Sequence, residues 1–335
     1  MTQKGHLAFL LPLASCAGAQ TPLAPAGDQA AGQYSLLLLM LWVCGILYML
    51  VLGFLAMGLW RLRRGAPAGN EPTLETPSDA VLGKTLWIWA AIIVVGLLLL
   101  AGASFLLERR LAAAEAREAL LVRVSGHQWW WRIAYRDPRN GSWIETANEL
   151  HLPVGTTARI ELGSADVIHS FWVPNVAGKM DVIPGRANAI DVTPRRIGWF
   201  RGQCAEFCGL QHAKMAFDVK VETPAQFAGW LALQARPAPA PEDAAALRGM
   251  EIVTRGACAM CHSVRGTSAR GRPGPDLTHV ASRRMIAAGT LAMNRGNLQG
   301  WIAQPQALKP GTLMLPVTLE PRDANAVAQY LGQLK

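Results

Sequence analysis

Charged residues are scarce in this chain. Asp, Glu, Lys and Arg make up 16% of its 335 residues, while apolar types make up 51%. That balance excludes an ordinary soluble protein over the whole length. The shortage is local, falling in two runs near the N-terminus, and the remainder reads as soluble and globular. Over residues 241–335, eleven Lys or Arg stand against six Asp or Glu, scattered and accompanied by few aromatics. No nucleic-acid module fits such a pattern; a solvated surface is the default reading, and a docking face for an acidic redox partner the sharper one. The net charge of +9 includes an export segment and a loop, so it says little about partners. The length leaves room for two or three domains.

The first residues have the layout of an export signal: Lys4, an apolar stretch from Leu7 to Leu13, and small residues approaching Cys16. Leu13-Ala14-Ser15-Cys16 also resembles the lipobox of bacterial lipoproteins, in which the cysteine is acylated; the plainer alternative is an ordinary cysteine near a cleaved signal. Two apolar stretches follow, about 36–60 and 86–107, each long enough to cross a hydrocarbon core as a helix and neither carrying a polar stripe. Arg61, Arg63, Arg64 and Lys84 lie between them and residues 17–34 contain no Lys or Arg. The connecting loop is therefore expected on the cytoplasmic side and everything after about residue 110 outside, although Arg109 and Arg110 blur the asymmetry.

Six cysteines stand at 16, 44, 204, 208, 258 and 261. In an exported protein disulfides are the usual expectation, but the last four form two tight pairs with histidines at metal-ligand spacing. Cys44 lies within a span and reads as a small apolar core residue. Between about 120 and 222, Leu121–Val124, Ala158–Leu162 and Phe217–Val221 alternate with the period of half-buried strands, which predicts an all-β sandwich or barrel. Near its end stand Cys204, Cys208, His212 and Met215, with His169 upstream. Thiolates, imidazoles and a thioether form a soft set suited to copper and poor for magnesium or calcium. Structural zinc on Cys204, Cys208 and His212, or a Cys204–Cys208 disulfide, are the alternatives that spacing alone leaves open.

The surrounding residues carry a resemblance. Gly126-His127-Gln128-Trp129-Trp130-Trp131, Asp166 to Pro174, Met180 to Arg186, and Gly202 through Met215 resemble subunit II of the cytochrome c oxidases. That family has two membrane helices and a cupredoxin-like domain, here spanning residues 36–222. The resemblance implies a dinuclear copper centre, CuA, with Cys204 and Cys208 as bridges, His169 and His212 as terminal ligands, Met215 as the thioether and the Glu206 carbonyl as the last ligand. It also implies a role for the Glu206 carboxylate in binding magnesium at the contact with the catalytic subunit. On a strand, at least one of the three indoles should lie near solvent, and core or membrane-interface packing is the commoner use of Trp; the resemblance makes Trp129 the point where electrons enter. Many members carry a glutamate near the start of the second membrane helix that guards a proton path. Here Lys84 stands in its place, with Glu75 or Asp79 as conceivable substitutes.

Ala235 to Pro241 alternates proline with small residues, the composition of an extended spacer. After it, helical patterns near Ala244–Gly256 and Asp323–Leu334 suit a small cytochrome. Cys258-Ala259-Met260-Cys261-His262 is the attachment motif for c-type haem, with the histidine beneath the iron; a thioredoxin-like redox pair is disfavoured because no βαβ pattern surrounds it. Gly274-Pro275-Asp276-Leu277 and Lys309 to Met314 resemble loops of class I cytochromes c, which implies that the Pro275 carbonyl orients His262 and that Met314 is the sixth ligand. Met285 and Met293 read as core.

The expected architecture is therefore an export segment (1–16), two membrane helices (17–114), a cupredoxin-like copper domain (115–224), a linker (225–243) and a class I cytochrome c domain (244–335). The resemblance, as in caa3-type oxidases, implies an electron relay: an external cytochrome or a quinol–cytochrome c reductase donates to haem c, then CuA, then the haem–copper catalytic subunit I among further membrane subunits, where oxygen becomes water with proton pumping. Tethering by a short flexible linker would hold the cytochrome at about millimolar effective concentration. Other readings are a CuA subunit feeding a nitric oxide reductase and a stand-alone membrane-tethered redox or copper protein; the presence of the copper ligands disfavours a quinol oxidase. A bacterial inner membrane, with the soluble domains outside, is the expected location.

Overall fold

The computed structural model describes residues 18–65, 78–113 and 120–335. The export segment, Cys16 and Glu75 lie outside the described residues. The chain divides into two units, residues 32–115 and the remainder.

Helices α1 (Asp28–Gly65) and α2 (Asp79–Ala113) both pass as candidate membrane spans, with no part of their most apolar windows buried by protein. Both outrun the expected spans, because the apolar run marks only the lipid-crossing portion and polar residues carry the helix onward. Asp28 and Asp79 sit in first turns, and Arg63, Arg64 and Arg110 in last turns, each complementing the helix dipole. Gly96 lets α2 approach Val43 of α1, and Phe54 meets Trp89 edge-on at 5.4 Å. Cys44 is exposed on α1, contrary to the expected core position. The apolar character that suggested burial within protein here suits a lipid-facing or subunit-facing helix surface.

The second unit begins with a strap. Buried Asn175 accepts from the Thr21 amide at 3.0 Å and donates to the Gly18 and Ala24 carbonyls at 3.2 and 3.0 Å, while Asp28 pairs with Arg195. Ten strands follow: β1 (Leu120–His127), β2 (Trp130–Arg136), β3 (Trp143–Ala147), β4 (Glu149–Pro153), β5 (Ala158–Ser164), β6 (His169–Trp172), β7 (Met180–Val182), β8 (Asn188–Val192), β9 (Gly198–Cys204) and β10 (Ala216–Glu222). They form two five-stranded sheets, β3-β2-β1-β5-β8 and β4-β10-β9-β6-β7, with β1/β5 and β4/β10 parallel. Alternate residues face inward, so Trp131, Ile133, Tyr135, Phe171 and Phe217 fill the space between the sheets. This is the all-β sandwich that the period-two runs predict, with the cupredoxin-like character that the resemblance implies.

Residues 225–234, expected to lie in the linker, instead belong to helix α3 (Pro224–Gln234), started by a full capping box between Thr223 and Gln226. Its Phe227 and Leu231 join the sandwich core, and its Trp230 stacks on His151 at 3.8 Å. The extended spacer is thus confined to about 235–242. The last domain contains α4 (Ala244–Arg255), α5 (Cys258–Cys261), β11 (Met285–Ile286), β12 (Leu291–Ala292), α6 (Arg295–Ala303), α7 (Pro305–Leu308) and α8 (Pro321–Gln333). Helices α4 and α8 cross at Gly249, where a Cβ would lie 2.1 Å from the Ala326 carbonyl oxygen; glycine is what permits that approach.

Candidate metal and haem centres

Strand β6 delivers His169, the end of β9 delivers Cys204, and the loop that returns to β10 carries Glu206, Cys208, His212 and Met215. The pairing of Phe171 with Cys204 fixes the two strands in register. Cys204 Sγ lies 3.7 Å from Cys208 Sγ, 3.9 Å from His169 Nδ1 and 3.2 Å from the Glu206 carbonyl oxygen. Cys208 Sγ lies 3.6 Å from His212 Nδ1 and 3.7 Å from Met215 Sδ. Two sulfurs therefore stand at the centre, each with its own imidazole. His169, Cys204 and Cys208 form a buried cluster able to hold a metal ion. A disulfide is not formed: both thiols are free. The donors fit a soft metal shared by two sulfurs. The Glu206 carboxylate is exposed, with one oxygen accepting from the Phe207 amide.

The groups around these donors hold them in place. His169 Nε2 meets Asp166 Oδ1 at 2.8 Å, which leaves Nδ1 facing Cys204. Burial opposes protonation of His169, but its hydrogen bonds to Cys204 and Asp166 outweigh burial and raise its pKa. A hydrogen bond from Cys208 holds the Cys204 thiol far below the usual range, and Cys208 is pushed up correspondingly. Trp131 packs edge-on against His169 at 5.9 Å, and a Cβ on Gly126 would fall 2.6 Å from His169 Cδ2.

Trp129 is not on a strand. It occupies the turn between β1 and β2, is 8% exposed, and donates Nε1–H to the Cys208 carbonyl at 2.9 Å. Gln128 Nε2 donates to the same carbonyl. Of the three indoles Trp131 is fully buried and Trp130 half-buried, so the expected solvent-near ring is Trp130, and only in part.

In the last domain the thiols of Cys258 and Cys261 bracket the single turn α5, and His262 follows at its C-cap. His262 Nδ1 lies 2.8 Å from the Pro275 carbonyl oxygen, so Nδ1–H donates and Nε2 is the nitrogen left for a metal. Burial lowers the His262 pKa and keeps the ring in the neutral, ligating form. Gly274 is required beside it: a Cβ there would lie 2.7 Å from His262 Cε1. Met260, Leu313 and Leu315 are 71%, 75% and 74% exposed, an apolar rim suited to a porphyrin face. Met314 lies on the loop after α7, where its carbonyl accepts from Gln306. The donors thus fit a covalently attached haem.

Three residues that sequence reasoning did not single out tie this loop to the copper domain. Lys309 Nζ donates to the carbonyls of Trp129, Lys214 and Ala287 at 2.8, 3.0 and 3.4 Å. Gln211 donates to the Pro310 carbonyl and Lys214 to the Leu308 carbonyl, each at 2.7 Å. Lys309 is 2% exposed, and burial, with help from the nearby Lys214, lowers its amine to about 7. No local pattern marks these residues, since their copper-domain and haem-loop partners across the seam lie about a hundred or more positions away.

Comparison with known proteins agrees with both halves. Residues 120–222 match the family described as cytochrome c oxidase subunit II, periplasmic domain, and residues 246–335 match cytochrome c. A cytochrome c oxidase subunit 2 of Alkalihalophilus pseudofirmus is 30% identical over 98% of this chain and 96% of its own length. Its counterpart in Bacillus subtilis is 30% identical over 93% and 91%. Among solved structures, the periplasmic domain of subunit II of cytochrome oxidase from Bradyrhizobium japonicum is 34% identical, with a TM-score of 0.33, covering 35% of this chain and 94% of that one.

Proposed function

Since the chain belongs to the cytochrome c oxidase subunit 2 family, we propose a function for each of its centres within that frame. The chain is the electron-input subunit of a haem–copper terminal oxidase, anchored in the membrane with a periplasmic domain and working beside the catalytic subunit that reduces oxygen to water with proton pumping. Its copper domain implies CuA and its last domain implies haem c. When bound, these groups supply two one-electron carriers.

Family membership and the donor chemistry support the following residue roles. Cys204, Cys208, His169, His212, Met215 and the Glu206 carbonyl would together hold the copper pair, their soft donors suiting a one-electron carrier. Asp166 holds the His169 ring with Nδ1 toward the metals. Cys258 and Cys261 would attach the haem; His262, its ring fixed by the Pro275 carbonyl, and Met314 would ligate its iron, and the thioether would favour the high potential that a donor to copper requires. Trp129, hydrogen-bonded to the Cys208 carbonyl, is the residue through which electrons reach the copper side. The Glu206 carboxylate, exposed on the ligand loop, is available for magnesium at the catalytic-subunit contact. The donor is an upstream cytochrome or a quinol–cytochrome c reductase, the membrane is the bacterial inner membrane, and Cys16 in its lipobox-like setting carries the lipid.

The observation that carries this reading is the pair of thiols at 3.7 Å, each with its own imidazole within 3.9 Å. Metal analysis with optical and EPR spectra of the purified complex tests it. Two coppers and one haem c on this subunit, with the hyperfine signature of an electron shared by two coppers, are expected; zinc in the pair, or haem without copper, refutes the assignment.

A further inference from the structure

The last domain does more than hang from a tether. Its contacts with the copper domain form a continuous seam: Leu308, Lys309 and Pro310 each bond to the copper-ligand loop or to Trp129. The Ala216 amide donates to the Ala288 carbonyl at 3.1 Å, and the Arg284 amide donates to Glu149 Oε2 at 2.8 Å. Arg201 reaches the Gly289 carbonyl.

Lys309 stands out within that seam. A fully buried lysine is rare unless paired, and this one points its N–H donors at three backbone carbonyls. Two of those carbonyls belong to the copper domain. The third, Ala287, sits in a stretch where Ala287, Ala288 and Gly289 have φ of 53°, 56° and 73°. Non-glycine residues in that region carry strain that the surroundings must offset. Here the carbonyls so presented accept from Lys309 and Ala216.

We propose that Lys309 is a positioning residue that clasps the methionine loop of the haem domain onto Trp129 and the copper-ligand loop, so that electrons pass between the two centres in a fixed contact rather than through repeated tethered encounters. The inference rests on the proposed relay for its purpose, but the clasp itself is a property of the polypeptide. Lys309 is buried five residues before Met314 and touches the backbone of Trp129, so the two sides of the transfer are held by one side chain. Lys214 and Gln211 add one bond each to the neighbouring carbonyls.

The test uses the purified oxidase complex carrying Lys309→Met or Lys309→Arg. Hydrogen exchange is followed at the Ala216 and Arg284 amides, both of which donate across the seam. A protease site placed in the 235–241 spacer allows the tether to be cut. In the wild type the two amides exchange slowly, the cut haem domain stays bound, and haem-to-copper electron equilibration does not depend on viscosity. In Lys309→Met, with haem and copper content unchanged, both amides should exchange about tenfold faster or more, the cut domain should be released, and equilibration should slow and become viscosity-dependent; Lys309→Arg should restore part of each. If Lys309→Met folds with unchanged exchange and retention, the clasp is overturned. If that variant fails to assemble, Lys309→Arg decides: faster exchange at the same amides than in the wild type supports the clasp, and no change overturns it. Failure of the relay reading would show instead as missing copper in a wild type whose seam is still protected.

Discussion

Substituting Gly126 by alanine tests how tightly the copper site is held. The added Cβ would lie 2.6 Å from His169 Cδ2 and 2.9 Å from Cγ, so the ring must retreat by about 1 Å to reach ordinary carbon contact. It has nowhere to go without loss. Nε2 is held by Asp166 at 2.8 Å, Trp131 packs against the ring edge, and the residue is fully buried. Overpacking of this kind costs about 1–3 kcal/mol, and displacing a ligand from its supports lowers metal affinity by roughly 10–100-fold. Copper competition with a chelator, thermal unfolding and the EPR spectrum of Gly126→Ala should therefore all change. Gly163→Ala on the neighbouring β5, whose Cβ would meet nothing within 4 Å, should leave copper affinity and spectrum unaltered. A Gly126→Ala protein that binds copper with wild-type affinity and an unchanged spectrum would refute the claim that the Gly126 contact fixes His169.

Three further outcomes follow. Burial opposes protonation of His151, but hydrogen bonds to Glu149 and Glu222 raise its pKa above the ordinary value, so its stabilisation is complete below about pH 6.5 and lost as pH rises through the raised value. Denaturant titrations of the copper domain from about pH 6.5 upward should show stability falling as pH rises in the wild type and a flatter profile in His151→Gln. Gly249→Ala, pushing a methyl into the Ala326 carbonyl, should destabilise the haem domain by about 1–3 kcal/mol or more, seen as an earlier haem-domain melt with the copper domain unmoved. Asn175→Ala removes three hydrogen bonds to the strap; limited proteolysis should then cut within 18–26, with roughly 1–3 kcal/mol lost.

Much of the copper site was legible because its donors are local. Cys204 to Met215 is one continuous run, and His169 stands in a segment that resembles the family on its own. The strands declared themselves by alternation, as in Phe217–Val221. Helix α3 did not, because a proline at its first position and the neighbouring Pro/Ala spacer resemble linker composition, whereas its stability comes from Phe227, Leu231 and Trp230 packing on the sandwich. Trp129 was misplaced on a strand since nothing in three consecutive tryptophans marks where the hairpin turns. Lys309 was invisible for a deeper reason: a lysine is read as surface by default, and only the fold brings Trp129, Lys214 and Ala287 around it.

The burial of Trp129 beneath the haem domain's own loop has a consequence for how the complex chooses its suppliers. In the proposed relay, an inner contact already occupied by part of the same chain is closed to a competitor, so the two centres would form a circuit in series with one outer terminal. Discrimination among donors would then belong to the outward surface of residues 241–335, on the side away from the buried Lys309.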